Sequence, residues 1–462
     1  MIDKFLYILF FIILVALKPN RLEDFSQSLN FTYSIIYLIL LIVFLLHHRK
    51  IDKNWMRFDV IFLVGYSIVH LQIPFLASIG TEPFRPYFIW INKDVVNYAT
   101  WMSVVAIDLW MLGYSLALNN SLKKTTVIKK SKKNIPLIDT LLLIMFLGFL
   151  ATVGAVFLRG VYDVESWGQS AVYFLLLLET LIYIRIVYFF EDMPQSVTVK
   201  RIVKKLINNK IFATVLILYF ILFFLSGSRG EILRIILLTT FCYSLYIKKL
   251  SLKYIVLGIL IGSLVFTLIG MGRVNDISKQ DNEGIFTRGY SALVEKDDEE
   301  QANFTNELAS SVRIQYRALD TMPEKQDYLY GKTYVIGLFA VIPFASGLVS
   351  KTFDVDKQYI GSSNYFTYLG QGINPSYGEG SEILGDIYIN FSIYGVFIIM
   401  FGFGMVSSKF YSRAKILDTK YVLLYSILLI SALGLNRASL FVLYKNMFYI
   451  LLFHFIFSMR KR

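Results

Sequence analysis

The residues best able to do chemistry in this 462-residue chain are arginines and carboxylates set against apolar sequence. The stretch "FFLSGSRGEILRIILL" (223–238) holds Arg229, Glu231 and Arg234 between two apolar runs. Charges beside hydrocarbon need a partner or a task. Arg273 in "GMGRVND" (270–276) and Arg437 in "LGLNRAS" (433–439) hold comparable positions, each at the end of an apolar segment. A guanidinium fork fits phosphate or carboxylate oxygens two at a time, which lysine cannot do. Ser228 suits a helix N-cap, and the helix start behind it offers N–H groups and a positive dipole end to an anion. Together these features describe a site for concentrated negative charge. Plainer readings compete. "SRGE" is also a capping box in which Glu231 reaches back to the Ser228 N–H, and for Glu231 that reading outweighs the functional one. Arg229 could simply snorkel to the membrane interface. For Arg229 with Arg234 the functional reading prevails, because Arg234 lies a turn deeper.

A second constellation is "NPSYGEGSEILGDIYINFSIYG" (374–395), with Glu379, Glu382 and Asp386. A helix starting near Ser381 puts Glu382 and Asp386 one turn apart on one face. Such acids could accept a proton as a general base or hold sugar hydroxyls. Equally, they could form an acidic first turn that stabilises a helix N-terminus. Tyr377, Tyr388 and Tyr394 suit carbohydrate stacking, although Tyr and Trp also form ordinary interface belts. Arg313 and Arg317, at helical spacing in "LASSVRIQYRALDTM" (308–322), join Tyr377 and Tyr388 as candidates for contact with a glycan. His47 and His48 lie in a basic connection, and His70 and His454 read as packed hydrogen-bonders. The single cysteine, Cys242, excludes a disulfide framework or a cysteine-rich metal site. There is no Walker loop, HExxH, CxxC or dinucleotide fingerprint.

The elements that must position these residues are long apolar blocks. The chain is 56% hydrophobic, with mean hydropathy +0.57 and 17% charged residues, against about 25% in a soluble protein. Blocks of about 18 residues cross hydrocarbon as helices. This predicts an all-α polytopic membrane protein with about twelve spans, near 4–17, 31–46, 58–79, 95–118, 135–158, 171–190, 211–226, 230–247, 252–270, 385–406, 420–434 and 439–458. The first lacks a small-residue cleavage site and reads as a retained span. Lysines concentrate in the even-numbered connections and in the C-terminal "MRKR", so both termini should be cytoplasmic. The net charge of +13 is mostly this bias facing anionic lipid, with no reason to invoke nucleic acid. Six arginines fall on the inner side and nine on the outer, a further lean toward anion recognition outside. The organisation expected is spans one to nine in 1–270, one large outer loop in 271–384, and spans ten to twelve in 385–462. Within the loop, "YVIGLFAVIPFASGLVS" (334–350) is broken by Pro343 and Gly347 and reads as interfacial or re-entrant. No internal repeat is present.

The layout and two short motifs resemble the O-antigen polymerase (Wzy) family of bacterial inner-membrane enzymes. "SGSRGEIL" (226–233) is similar to the family's Gly-Ser/Thr-Arg turn. "GDIYINFSIYG" (385–395) is similar to its Gly-Glu-x-Tyr-x-Asn-Phe-Gly-x-x-Gly entry to the span after the long periplasmic loop. Asp386 stands where the family more often has Glu, and Ser392 where it more often has Gly. The resemblance implies a GT-C-like fold, with no cofactor, no nucleotide sugar and no required metal. It implies substrates that are oligosaccharides on undecaprenyl pyrophosphate. Arg229, Arg234, Arg273 and Arg437 would then form a pyrophosphate clamp, with the base among Asp386, Glu382 and Glu379. A chain-length regulator and the repeat-unit flippase are the partners it implies. Three alternatives are an O-antigen ligase, a lipid-linked oligosaccharide flippase and a non-catalytic assembly protein. The ligase pattern has a histidine in its long loop, and 271–384 contains none. Flippases lack such a loop.

Overall fold

The computed structural model describes residues 2–118, 133–154, 157, 167, 169–272, 285–294, 304–339, 341–343, 345, 349, 352 and 355–458. Among them there is no strand. Among the described residues a helix lies within each of the twelve apolar segments. The first six are α1 (Ile2–Ala16), α2 (Gln27–Ile51), α3 (Phe58–Ser78), α4 (Val96–Ala117), α5 (Ile135–Thr152) and α6 (Gln169–Glu191). A basic helix α7 (Val199–Asn208) leads into α8 (Lys210–Leu225), α9 (Arg229–Tyr246) and α10 (Leu252–Met271). Shorter helices follow: α11 (Ile285–Val294), α12 (Phe304–Ala309), α13 (Val312–Thr321), α14 (Lys332–Phe339) and α15 (Ser362–Gln371). The last three are α16 (Ile383–Lys415), α17 (Thr419–Ser431) and α18 (Val442–Ser458).

Seven of these, α2 to α6, α10 and α16, are long and apolar enough to cross a membrane, and α8 makes eight if it and α7 count as one bent span. α1, α17 and α18 are apolar but shorter, and α9 opens on Arg229, Glu231 and Arg234. Of the expected interfacial segment 334–350, α14 is helical through Phe339, and the residues beyond are described only in part.

α4 is the axis of the bundle, and α16 is its most extensive partner. The two backbones approach closely because glycines face them. A Cβ on Gly404 would lie 2.1 Å from the Trp110 carbonyl oxygen, and one on Gly113 2.2 Å from that of Phe401. Small residues of this kind let membrane helices gain dispersion contact where lipid offers no hydrophobic drive. α10, by contrast, faces outward along most of its length.

α16 contains one break. Ser392 has φ +59° and ψ −167°, a region that costs an L-residue roughly 1–3 kcal/mol and suits glycine. The departure noted in the sequence is therefore one of residue type, while the backbone keeps the conformation a glycine would adopt.

The connections sort onto two ends. At one end Lys249 pairs with Asp52 at 2.7 Å, Lys133 with Glu191 at 2.6 Å, and Thr419 donates to Glu191 at 3.0 Å. The start of α1 and the end of α18 lie there, through Asp3 with His47 at 3.4 Å and Tyr188 with His454 at 2.7 Å. α7 meets α8 at 104°, with Val199, Val203 and Ile207 exposed along one side, as in a helix lying in a membrane interface. At the other end Arg21 reaches the Leu319 carbonyl, Asn92 donates to Asp320 at 2.8 Å, and Arg229 and Arg437 meet Glu307. Among the described residues, the connections holding Arg21, Asn92, Arg229 and Arg437 thus share one end with Glu307, Leu319 and Asp320, and those holding Asp52, Lys133, Glu191 and Lys249 share the opposite one.

Candidate active site at the arginine turns

The turn holding Arg229 follows from local chain chemistry. α8 stops where Gly227 adopts φ +74°, a left-handed value that glycine takes without steric cost. The N–H of Ser228 then donates to the Phe223 carbonyl at 3.0 Å, so the chain reverses and α9 begins at Arg229. Ser228 occupies the N-cap in extended conformation, and its hydroxyl donates to the Glu231 carboxylate. The guanidinium of Arg229 lies against α10 at Gly270. A Cβ there would come within 2.6 Å of Arg229 Nη1, so the glycine makes the slot.

Arg437 ends the short turn Gly434–Arg437 between α17 and α18. The turn is fixed by the buried amide of Asn436, which donates to Phe62 O at 3.2 Å and Ala432 O at 3.3 Å. Gly65 of α3 leaves room for it, since a Cβ there would meet the amide nitrogen at 2.7 Å.

These turns bring Arg229, Arg234 and Arg437 onto one cavity of about 410 Å³, shared with Glu179, Tyr183 and Glu307. Small-molecule sites run from roughly 300 to 1,000 Å³. The three arginines are not equivalent. Arg234 lies 2.8 Å from Glu179 and 3.4 Å from Glu231, so two carboxylates answer its charge. Glu179 also accepts from the Tyr219 hydroxyl at 2.6 Å. Arg229 and Arg437 converge on the single carboxylate of Glu307, Arg229 on one oxygen and Arg437 on the other at 3.5 Å. Burial works against ionising Glu307, but Arg229 and Arg437 outweigh it and hold its carboxyl below the ordinary range. The lining itself holds three arginines and two glutamates, and Glu231 behind Arg234 balances the third charge, so Arg229 and Arg437 are the pair that share one carboxylate. Glu307 sits on α12, which is held to α3 by the Gln72 amide donating to Asn306 at 3.2 Å. Gln72 follows a π-helical turn, Ser67–Leu71, a local feature frequent at functional sites.

The family model for the O-antigen polysaccharide polymerase Wzy matches residues 2–461. The chain belongs to the Wzy family. No curated protein and no solved structure matches it. It is a multi-pass membrane polysaccharide polymerase at the level the family defines.

The remaining described candidates of this Wzy chain lie outside the lining of the arginine cavity. Glu379 is buried, accepts from Arg313 and lies 3.6 Å from Arg317, so these three residues form one ion cluster. Glu382 is the N-cap of α16 and accepts from the Leu384 N–H at 2.7 Å and the Gly385 N–H at 2.6 Å. Burial dominates and pushes its carboxyl up to about 8, against the pull of those two donors. His70 Nε2 lies 3.3 Å from Glu382, so the histidine read as a packed hydrogen-bonder meets the α16 cap. Asp386 is buried within the first turn of α16. Its Oδ2 accepts from Tyr334 at 2.7 Å, from Ser439 at 2.8 Å and from the Leu440 N–H at 3.3 Å. Tyr388 is buried with its ring edge-on to Tyr328, while Tyr377 is half exposed. Arg273 lies outside the described residues. Among the described residues no three His, Cys, Asp or Glu side chains group so as to hold a metal ion.

Sequence reasoning passed over Glu307, Glu179 and Asn436. Glu307 was hidden at the end of "VEKDDEEQANFTNE", where a charge run reads as a solvated surface. Glu179 carried a usable signal, being an acid inside an apolar span. Asn436 carried none, because its role is to hold a turn.

Proposed function

We propose that this Wzy-family protein polymerises oligosaccharide repeat units carried on undecaprenyl diphosphate, and does so at the outer membrane face. A hydroxyl of one glycan attacks the anomeric carbon of the other, and the lipid diphosphate leaves. The observation that carries this reading is the convergence of Arg229 and Arg437 on one cavity, where the carboxylate of Glu307 occupies the place of an anion. The leaving diphosphate gains negative charge as its bond breaks, so guanidiniums already oriented toward it stabilise the transition state more than the ground state. Arg234, with two carboxylates beside it, sets the field at the base of the cavity. Glu379, with Arg313 and Arg317, braces the loop above it, where the exposed Tyr377 can meet sugar. Asp386 holds the turn that presents Arg437. The lysine-rich end of the bundle, with α7, suits the anionic cytoplasmic leaflet, which supports reading the arginine cavity as periplasmic.

Arg229, Arg234 and Arg437 are each replaced by Ala and by Lys, membrane expression is confirmed, and surface polysaccharide ladders are compared. The expected result is short polymer or none for the Ala variants of Arg229 and Arg437. Their Lys variants should recover only partly, because lysine supplies charge without the fork. Normal ladders from all six variants would refute the clamp. Extension of lipid-linked repeat units by purified protein in detergent separates a polymerase from a flippase, which forms no longer product.

A further inference from the structure

The clamp leaves one question of chemistry open: what accepts the proton of the attacking hydroxyl. Among the described carboxylates, Glu179 and Glu307 line the cavity. Glu179 is committed to Arg234 and Tyr219 inside the helix bundle. Glu307 stands at the outer end on a short helix, with its side chain 46% exposed, and spans the two arginines of the clamp. We propose that Glu307 is the general base of the polymerase, held inactive by Arg229 and Arg437 until the donor diphosphate takes those arginines over. This inference rests on the reading of the cavity as a diphosphate site.

Donor binding is an exchange of anions. Phosphate oxygens carry more charge than one carboxylate and accept bidentate guanidinium contact, so the donor displaces Glu307 from both arginines. The displaced carboxylate is still tethered to α12 at the lip of the cavity, within reach of an acceptor sugar lying over the donor. While clamped, its depressed pKa makes it a weak proton acceptor. Once the arginines face phosphate instead, that depression is relieved and its basicity rises. Base and electrophile are thus readied by one binding event, and the site stays quiet without donor. In the step itself the acceptor hydroxyl gives its proton to Glu307, and its oxygen forms the new bond to the anomeric carbon. The bond from that carbon to the phosphate oxygen breaks, and its electron pair leaves on the lipid diphosphate, which remains beside Arg229 and Arg437. The proton departs from Glu307 to solvent at the open side.

The experiment uses the purified full-length protein in detergent with two readouts. Farnesyl diphosphate, a short prenyl diphosphate, reports on the clamp by binding. Lipid-linked repeat units extracted from cells deleted for this chain report on turnover. Glu307→Gln keeps the size of the side chain but removes both its charge and its basicity. It should bind farnesyl diphosphate at least as tightly as the unaltered protein, because a competing anion has gone. It should also lose turnover by about 100-fold or more. Glu307→Asp should keep more turnover than Glu307→Gln. Formate should restore part of the turnover of Glu307→Ala. If Glu307→Gln turns over within about threefold of the unaltered protein, or as well as Glu307→Asp, Glu307 is only an anion surrogate and the inference fails. Loss of the diphosphate site as such shows up separately, as farnesyl diphosphate binding that Arg229→Ala and Arg437→Ala leave unchanged.

Discussion

Asp386 offers the sharpest test of how the site is built, because two roles for it predict different numbers. Its Oδ2 accepts from the Tyr334 and Ser439 hydroxyls and the Leu440 N–H. Ser439 follows Arg437 by two residues, so the carboxylate ties the arginine turn to α16 and α14. Asp386→Ala strands three partly buried donors, each worth up to about 1–3 kcal/mol when left without a partner. Hydroxyls can turn toward other acceptors, so about 3 kcal/mol is the expected loss. Asp386→Asn keeps an acceptor and loses only charge assistance, about 1 kcal/mol per bond. Relief from burying an ionised group offsets part of that, which leaves about 1–2 kcal/mol. A shift of about 1 Å in a positioned group can cost about 100-fold in rate. Asp386→Ala should therefore lower the unfolding midpoint in detergent and cut polymerisation about 100-fold. Asp386→Asn should keep about a tenth or more of it, and Ser439→Ala should reproduce a milder share of the loss. A general base would behave otherwise: Asn and Ala would be equally inactive, by roughly 10²–10⁴, and Ser439→Ala would be silent. A stable, inactive Asp386→Asn beside a fully active Ser439→Ala would refute the positioning role.

Three further outcomes follow from the geometry. Ser392→Gly should stabilise the protein by about 0.5–2 kcal/mol in denaturation, since strain of roughly 1–3 kcal/mol at φ +59° exceeds the entropy cost of glycine; an unchanged or lowered midpoint would mean that Ser392 is not strained. Gly404→Ala should cost about 1–3 kcal/mol because its new methyl meets the Trp110 carbonyl. Gly402→Ala, whose Cβ would enter open space, should be near neutral, and equal effects would contradict the close α4–α16 contact. Glu307 ties α12 to the clamp through an ionised carboxylate held below its ordinary pKa. That contribution is complete above the ordinary carboxylate range and is lost as pH falls through the lowered value. Hydrogen exchange across α12 should rise only in that acid window, and the pH dependence should vanish in Glu307→Gln.

The sequence alone determined the membrane class, the helix positions and the polar asymmetry, because each is a local or summed property of the chain. An apolar block of a given length must satisfy its own backbone hydrogen bonds, so it becomes a helix in hydrocarbon wherever it packs. "SGSRGEIL" and "LGLNRAS" were likewise legible as turns, since Gly227 acts within a few residues, but the capping box did not form: the Ser228 N–H goes to the Phe223 carbonyl and its hydroxyl to Glu231. What only the tertiary structure decided is which charges meet. Arg229, Glu307 and Arg437 are separated by 78 and 130 positions from the central glutamate, and no spacing rule spans such distances. Asp386 and Glu382 looked alike as acids of one helix start. Burial and partners separate them, one capping α16 and the other holding the turn of Arg437. The same holds for the arginines. Their residue type did not show which carboxylates they would meet: two lie beside Arg234, and a single one is shared by Arg229 and Arg437.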